Sequence, residues 1–232
     1  MVRAIVFDGD DTLWHTERLY DDARRRAREV VEAAGLDGER WEARERLIDV
    51  ENVERLGHGA DRFPASCIEA YDELCAAAGS AADSEVREAV AAAARTVFER
   101  RAPLMEGAEE TLAALKDRGL LLALLTQGDP AVQRLRIGQS GLAPMFDVVE
   151  IVAEKTPEAL VAVLERLGVE TSEGLSVGNS VRSDVLPSIA AGVKPVWIDA
   201  HVWEYERIHP DLPLEHVIKK EGLRDLLQMT LT

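Results

Sequence analysis

Short apolar runs that fail to alternate restrict this chain more than any other feature. Ala4–Phe7, Leu120–Leu125, Val148–Val152, Leu175–Val177 and Pro195–Ile198 are mainly apolar, and each ends in small or polar residues before a helical pattern begins. A strand with one wet face alternates apolar and polar side chains, whereas a strand covered on both faces is apolar along its length. Strands of this kind taking turns with helices predict an α/β fold built on a doubly wound parallel sheet. In such sheets ligands collect at the carboxyl ends of the strands, where helix N-termini also converge.

The first two runs are far apart. Between Trp14 and Pro103 there is no strand-like stretch, and the segment is rich in Ala, Glu and Arg with helical spacing at Ala23–Ala34, Ala65–Ala78 and Glu85–Arg100. At about 85 residues it is too long for a loop. Glycine-containing breaks at 35–38, 57–59 and 79–80 divide it into four or five helices. The expected organisation is a Rossmann-like α/β catalytic core, residues 1–14 and 104–232, with an inserted α-helical cap domain over residues 15–103.

Composition narrows the partners. With 27 Lys and Arg against 43 Asp and Glu, the formal charge of −16 opposes binding to nucleic acid or to anionic membrane surfaces. An anionic substrate would need a local positive site. Cys67 and Cys75 lie two helical turns apart on one predicted face, too far for a disulfide, so both are expected reduced. The first residues lack the apolar segment of a signal peptide, and Leu120–Leu125 is too short to span a bilayer. A cytoplasmic protein is expected. Oligomeric state is not legible.

Chemistry-bearing residues cluster at the strand ends. The first strand runs into Asp8-Gly9-Asp10-Asp11-Thr12, the second into Thr126-Gln127-Gly128-Asp129, the third leads to Lys155-Thr156-Pro157, and the fourth ends in Gly178-Asn179, followed by Asp184. Carboxylates, a hydroxyl and a lysine converging on one volume suit a hard divalent cation and a phosphoryl group. Asp8 and Asp10, two apart, share one side of an extended chain, and Asp11 points away and reads as a turn or capping residue. Gly9 would leave room for a phosphate near the main chain. Thr12 reads as a cap or loop support, Thr156 as a helix N-cap and Pro157 as the first helical residue.

The four sets, in this order, resemble the motifs of the haloacid dehalogenase (HAD) superfamily, and the long insertion resembles the helical cap of its C1-type members. The resemblance implies a Mg2+-dependent phosphatase acting on a small phosphorylated metabolite through an aspartyl-phosphate. On the matching positions, Asp8 would be the nucleophile and Asp10 the acid then base. Thr126, Gln127 and Lys155 would hold the phosphoryl group, and Asp8, Asp10 (through its carbonyl), Asp184 and Asn179 would ligate magnesium. In the cap, Arg55, His58 and Arg62 of the glycine-flexible "RLGHGADRF" stretch are candidates for substrate choice. Trp14 would pack at the hinge or line the entrance. His15, His201, His209 and His216 are scattered and assigned no chemistry.

Two departures stand out. Proline usually follows the motif lysine directly and here comes one residue later. Aspartate usually follows the motif glycine, where this chain has Asn179, which can ligate through its carbonyl oxygen but brings no charge. A phosphomutase would keep the same residues, and a haloacid dehalogenase the same fold, although Asp10 favours phosphoryl chemistry. From another class, a phospho-accepting receiver also uses an aspartate cluster, a Thr and a Lys, but carries its acceptor on a middle strand. A catalytically silent binding protein draws its support from Asn179.

Overall fold

The computed structural model describes residues 1–199 and 217–230. His201, His209 and His216 lie outside them. The chain divides into two compact units, one formed by Met1–Glu17 with Arg101–Thr232 and the other by Arg18–Arg100.

In the first unit six parallel strands form one sheet: β1 (Ala4–Phe7), β2 (Leu121–Gln127), β3 (Val148–Val152), β4 (Gly174–Gly178), β5 (Lys194–Ile198) and β6 (Ile218–Lys220). They are ordered β3-β2-β1-β4-β5-β6. Every pairing is parallel, β1 lying between β2 and β4 with Phe7 level with Leu124 and Val177. Strand order reverses between β1 and β4, which opens a crevice at their carboxyl ends. The doubly wound α/β architecture read from the apolar runs is the observed one.

The apolar runs are apolar because both faces are covered. On one face Ala4, Val6, Ala123, Leu125 and Val148 pack with Leu160, Val163 and Leu164 of a helix that follows β3. On the other, Ile5, Phe7, Leu122 and Leu124 are fully buried, and Phe7 meets Phe146 edge-on at 6.5 Å between ring centroids. β2 runs two residues further than its apolar run, through Thr126 and Gln127. The sixth strand, Ile-Lys-Lys, is too short and too charged to register as a buried strand.

The second unit contains four helices: α1 (Glu17–Ala33), whose first residue belongs to the sheet unit, α2 (Gly38–Leu56), α3 (Arg62–Ala77) and α4 (Ser84–Glu99); in the sheet unit α5 (Ala108–Asp117) precedes β2, α6 (Pro130–Ser140) follows it and α7 (Pro157–Arg166) follows β3. Gly35, Gly57 and Gly79 sit at the breaks with positive φ, the conformation that ends a helix cheaply only at glycine. Cys67 and Cys75 are buried and unpaired by any disulfide. Unusually for so small a unit, its interior is partly ionic. Arg24 Nε donates to Glu45 Oε2 at 2.6 Å, Arg62 pairs with Asp49 at 3.3 Å, and Ser66 and Asn52 complete the network.

The compact units part at Glu17/Arg18 and Arg100/Arg101, against the expected 14/15 and 103/104. Hydrogen bonds account for the difference. His15 N donates to Pro103 O at 2.8 Å and Met105 N to Leu13 O at 2.9 Å, so the outgoing and returning segments pair with each other as part of the sheet unit.

Candidate active site

β1 delivers Asp8 directly into the crevice. Asp8 N still donates to Val177 O at 2.9 Å, and the chain then turns on Gly9, whose carbonyl accepts from Leu13 N at 2.8 Å. Packing also requires glycine at position 9: a Cβ there would lie 2.5 Å from the Trp14 ring. Trp14 is 1% exposed, lies against the turn and pairs with Leu104 of the returning segment. Asp11 adopts φ 59°, and its carboxylate accepts from Thr16 N at 2.9 Å and Glu17 N at 3.1 Å, where the chain enters α1. That is the turn and capping role expected of it. Burial pushes the Asp11 carboxyl up to about 6 against those hydrogen bonds.

Lys155 joins the first and fourth motifs. Its Nζ donates to Asp8 Oδ1 and, at 2.7 Å, to Asp184 Oδ1, all three side chains being more than nine-tenths buried. Burial pushes Asp8 up to about 7, with Lys155 pulling it down and Asp184 pushing it up. Burial alone would lower the lysine, but Asp184 and Asp8 together raise it above its ordinary value, so it is a cation at neutral pH. Two buried atoms here have no hydrogen-bond partner, Asp8 Oδ2 and Thr126 Oγ1. Such atoms are costly to bury and are retained where something else satisfies them.

The elements hold this arrangement locally. Helix α7 (Pro157–Arg166) begins where its signals place it: Thr156 Oγ1 accepts from Ala159 N at 3.2 Å and Pro157 occupies the first turn. The shifted proline therefore leaves both helix start and lysine intact. Gln127 spans two motifs, its Oε1 accepting from Lys155 N at 3.2 Å and its Nε2 donating to Ser183 Oγ at 3.1 Å. After β4 the chain makes one turn of π-helix, Val181–Val185, which swings Asp184 back against Gly178. A Cβ on Gly178 would lie 2.2 Å from that carboxylate, so only glycine fits. Asp184 Oδ2 accepts from Ser180 N at 2.9 Å, Asn179 Oδ1 accepts from Thr12 Oγ1 at 3.1 Å, and Asn179 O accepts from Trp197 Nε1 at 2.9 Å.

Asp10, whose charge is felt at Asp8, is held by a separate set of donors. Its Oδ1 accepts from Trp14 Nε1 at 2.6 Å, and its Oδ2 from Gln133 Nε2 and Arg136 Nη1, both at 2.8 Å. Gln133 and Arg136 belong to α6 (Pro130–Ser140) and carried no expectation; the available signal was a polar pair three residues apart just after a strand-end motif. In the helical unit Arg62 is buried against Asp49 and Arg55 pairs with Glu69 at 2.6 Å, while His58 is half-buried.

The residues present suit a hard divalent cation. The Asp8 and Asp184 carboxylates, the Asn179 amide oxygen and the Asp10 carbonyl are all hard oxygen donors, the set such a cation prefers, and they stand beside a buried hydroxyl and carboxylate oxygen that have no protein partner. Among the described residues no group of three His, Cys, Asp or Glu side chains could by itself hold a metal, so main-chain, amide and water oxygens would complete the shell. No helix among the described residues is long and apolar enough to cross a membrane.

A family model for haloacid dehalogenase-like hydrolases matches residues 2–192. A phosphoserine phosphatase of Thermus thermophilus is 33% identical over 227 residues, covering 85% of this chain and 89% of its own. A glyceraldehyde 3-phosphate phosphatase of Methanopyrus kandleri is 28% identical, covering 98% of each. Among solved structures, a haloacid dehalogenase-like hydrolase of Xanthomonas campestris superimposes with a TM-score of 0.77 at 26% identity, covering 96% of this chain and 88% of that one.

Proposed function

The chain belongs to the haloacid dehalogenase-like hydrolases and is a phosphatase, and on that premise we propose that it hydrolyses a small phosphorylated metabolite through an aspartyl-phosphate on Asp8. The observation that carries this reading is the state of Asp8. One carboxylate oxygen is engaged by Lys155, and the other is buried with no partner. Oδ2 is thus the oxygen free to attack phosphorus.

Lys155 offsets the charge of the nucleophile and draws in the phosphoryl oxygens, and the unpartnered Thr126 hydroxyl donates to one of them. As the Oδ2–P bond forms, the bond from phosphorus to the ester oxygen breaks, and Asp10 gives its proton to that oxygen. In the second half Asp10 takes a proton from water, whose oxygen attacks phosphorus and returns Asp8 to a carboxylate. Asp8, Asp184, Asn179 and the Asp10 carbonyl would hold Mg2+, which when bound supplies positive charge to the phosphoryl group. The names of the relatives, phosphoserine and glyceraldehyde 3-phosphate phosphatase, support a small monoester as substrate. The helical unit is the proposed cap and source of substrate choice; because Arg62 is buried whereas Arg55 is exposed and His58 half-buried, the latter two are its better candidates for contact.

The test is turnover of p-nitrophenyl phosphate with Mg2+. Sustained release by the wild type, abolished in Asp8→Asn, is the expected result, with acid-trapped acyl phosphate on Asp8. Release that survives Asp8→Asn would overturn the covalent route.

A further inference from the structure

The buried face of α6 is polar where a core helix should be apolar. Gln133, Arg136, Ile137 and Ser140, the i, i+3, i+4 and i+7 positions, point inward, and of the four only Ile137 is apolar. Gln133 is 2% exposed and donates from one nitrogen to two acceptors, Asp10 Oδ2 at 2.8 Å and Gln127 O at 3.0 Å. Its own Oε1 is buried without a partner. Leaving an acceptor so costs about 1–3 kcal/mol, which a leucine or methionine of similar volume would avoid. Flipping the amide gives no relief, because its oxygen would then face a carboxylate and a carbonyl. The site therefore selects the NH2 group, and what it serves is Asp10. Arg136, also buried, places Nη1 on the same carboxylate oxygen, and Trp14 holds the other.

We propose that Gln133 and Arg136 are positioning residues that, with Trp14, aim the Asp10 carboxyl, and that Gln133 ties this aim to the end of β2, where Thr126 stands. The inference rests on the phosphatase reading, in which Asp10 passes a proton to the leaving oxygen. Three donors from two elements fix both oxygens of Asp10, so its direction does not depend on the half-exposed side chain's own rotamer preference.

Leaving groups read the difference. p-Nitrophenolate departs without a proton, whereas the alkoxide of benzyl phosphate, of similar bulk, needs one. In Gln133→Leu and in Arg136→Lys the ratio of kcat/KM for benzyl over p-nitrophenyl phosphate should fall about tenfold or more, within the range general acids supply. Guanidinium should restore part of that ratio to Arg136→Ala. A second reading needs no turnover: the indole N–H resonance of Trp14, assigned with Trp14→Phe, should move in both variants. Equal losses on the two esters, or an unmoved Trp14 resonance in folded variants, overturn the proposal while leaving the phosphatase reading intact. A wild type inactive on both esters overturns that reading and this inference together.

Discussion

At the residue scale the substitution of most consequence is Asn179. Its amide oxygen already accepts from Thr12, which orients it, but it brings no charge to a centre whose cation Lys155 is shared by Asp8 and Asp184. Replacing it by aspartate would keep the hydrogen bond from Thr12 and add an anion beside the proposed ligands. Asn179→Asp should therefore bind Mg2+ more tightly, on the order of tenfold, because affinity for hard cations rises with ligand charge. Calorimetric titration showing equal or weaker binding would remove Asn179 from the proposed ligand set. The acids and the lysine were legible because they stand where apolar runs stop. Gln133 and Arg136 were not, because a polar residue on a helix reads as solvent-facing unless its partner is known, and the partner, Asp10, is more than a hundred residues away. Gly9 was legible as necessary, but its packing against Trp14 was not, since nothing local announces that the Trp14 ring lies over it.

At the scale of elements, helix starts carry the site. Thr156 accepts from Ala159 N and fixes the first turn of α7, immediately after Lys155. Thr156→Ala should cost about 1 kcal/mol, the usual loss for an N-cap, and lower the melting temperature by about 2–4 °C in a chain of this length. Turnover should change less, because Lys155 is also held at its backbone N–H by Gln127. A melting temperature unchanged within error would mean the hydroxyl contributes nothing to the helix. The strands were readable because both faces are buried, and the helical breaks because glycine takes positive φ there. β6 escaped because three residues, two of them lysines, carry no buried pattern. The unit boundaries differ by three residues at each crossing because pairing of Leu13 and His15 with Met105 and Pro103 is a long-range contact with no local signature.

For the whole molecule the prediction concerns stability against pH. As the sheet unit buries Asp8, the helical unit buries Glu45, with no exposed surface, against Arg24. Burial pushes its carboxyl up to about 7 from an ordinary 4.5, Arg24 only partly offsetting it. The sign follows from proton counting. Between pH 4.5 and about 7 the unfolded chain releases this proton while the folded chain keeps it, so the folded state binds more protons and stability falls as pH rises through that window. The contribution is fully present below the unfolded value and is lost above the folded one. At about 1.4 kcal/mol per unit, it amounts to at most about 3.5 kcal/mol. Self-repulsion from the formal charge of −16 acts in the same direction across the whole surface, so the slope alone does not identify Glu45. Glu45→Gln separates the two, since it removes a single titration from the interior and leaves the surface charge as it was. Denaturant midpoints of metal-free protein at pH 5 and pH 8 should differ less in the variant than in the wild type. An equal difference in both would assign the whole pH dependence to the surface and to the core carboxylates, and would leave the Arg24–Glu45 pair ionised throughout.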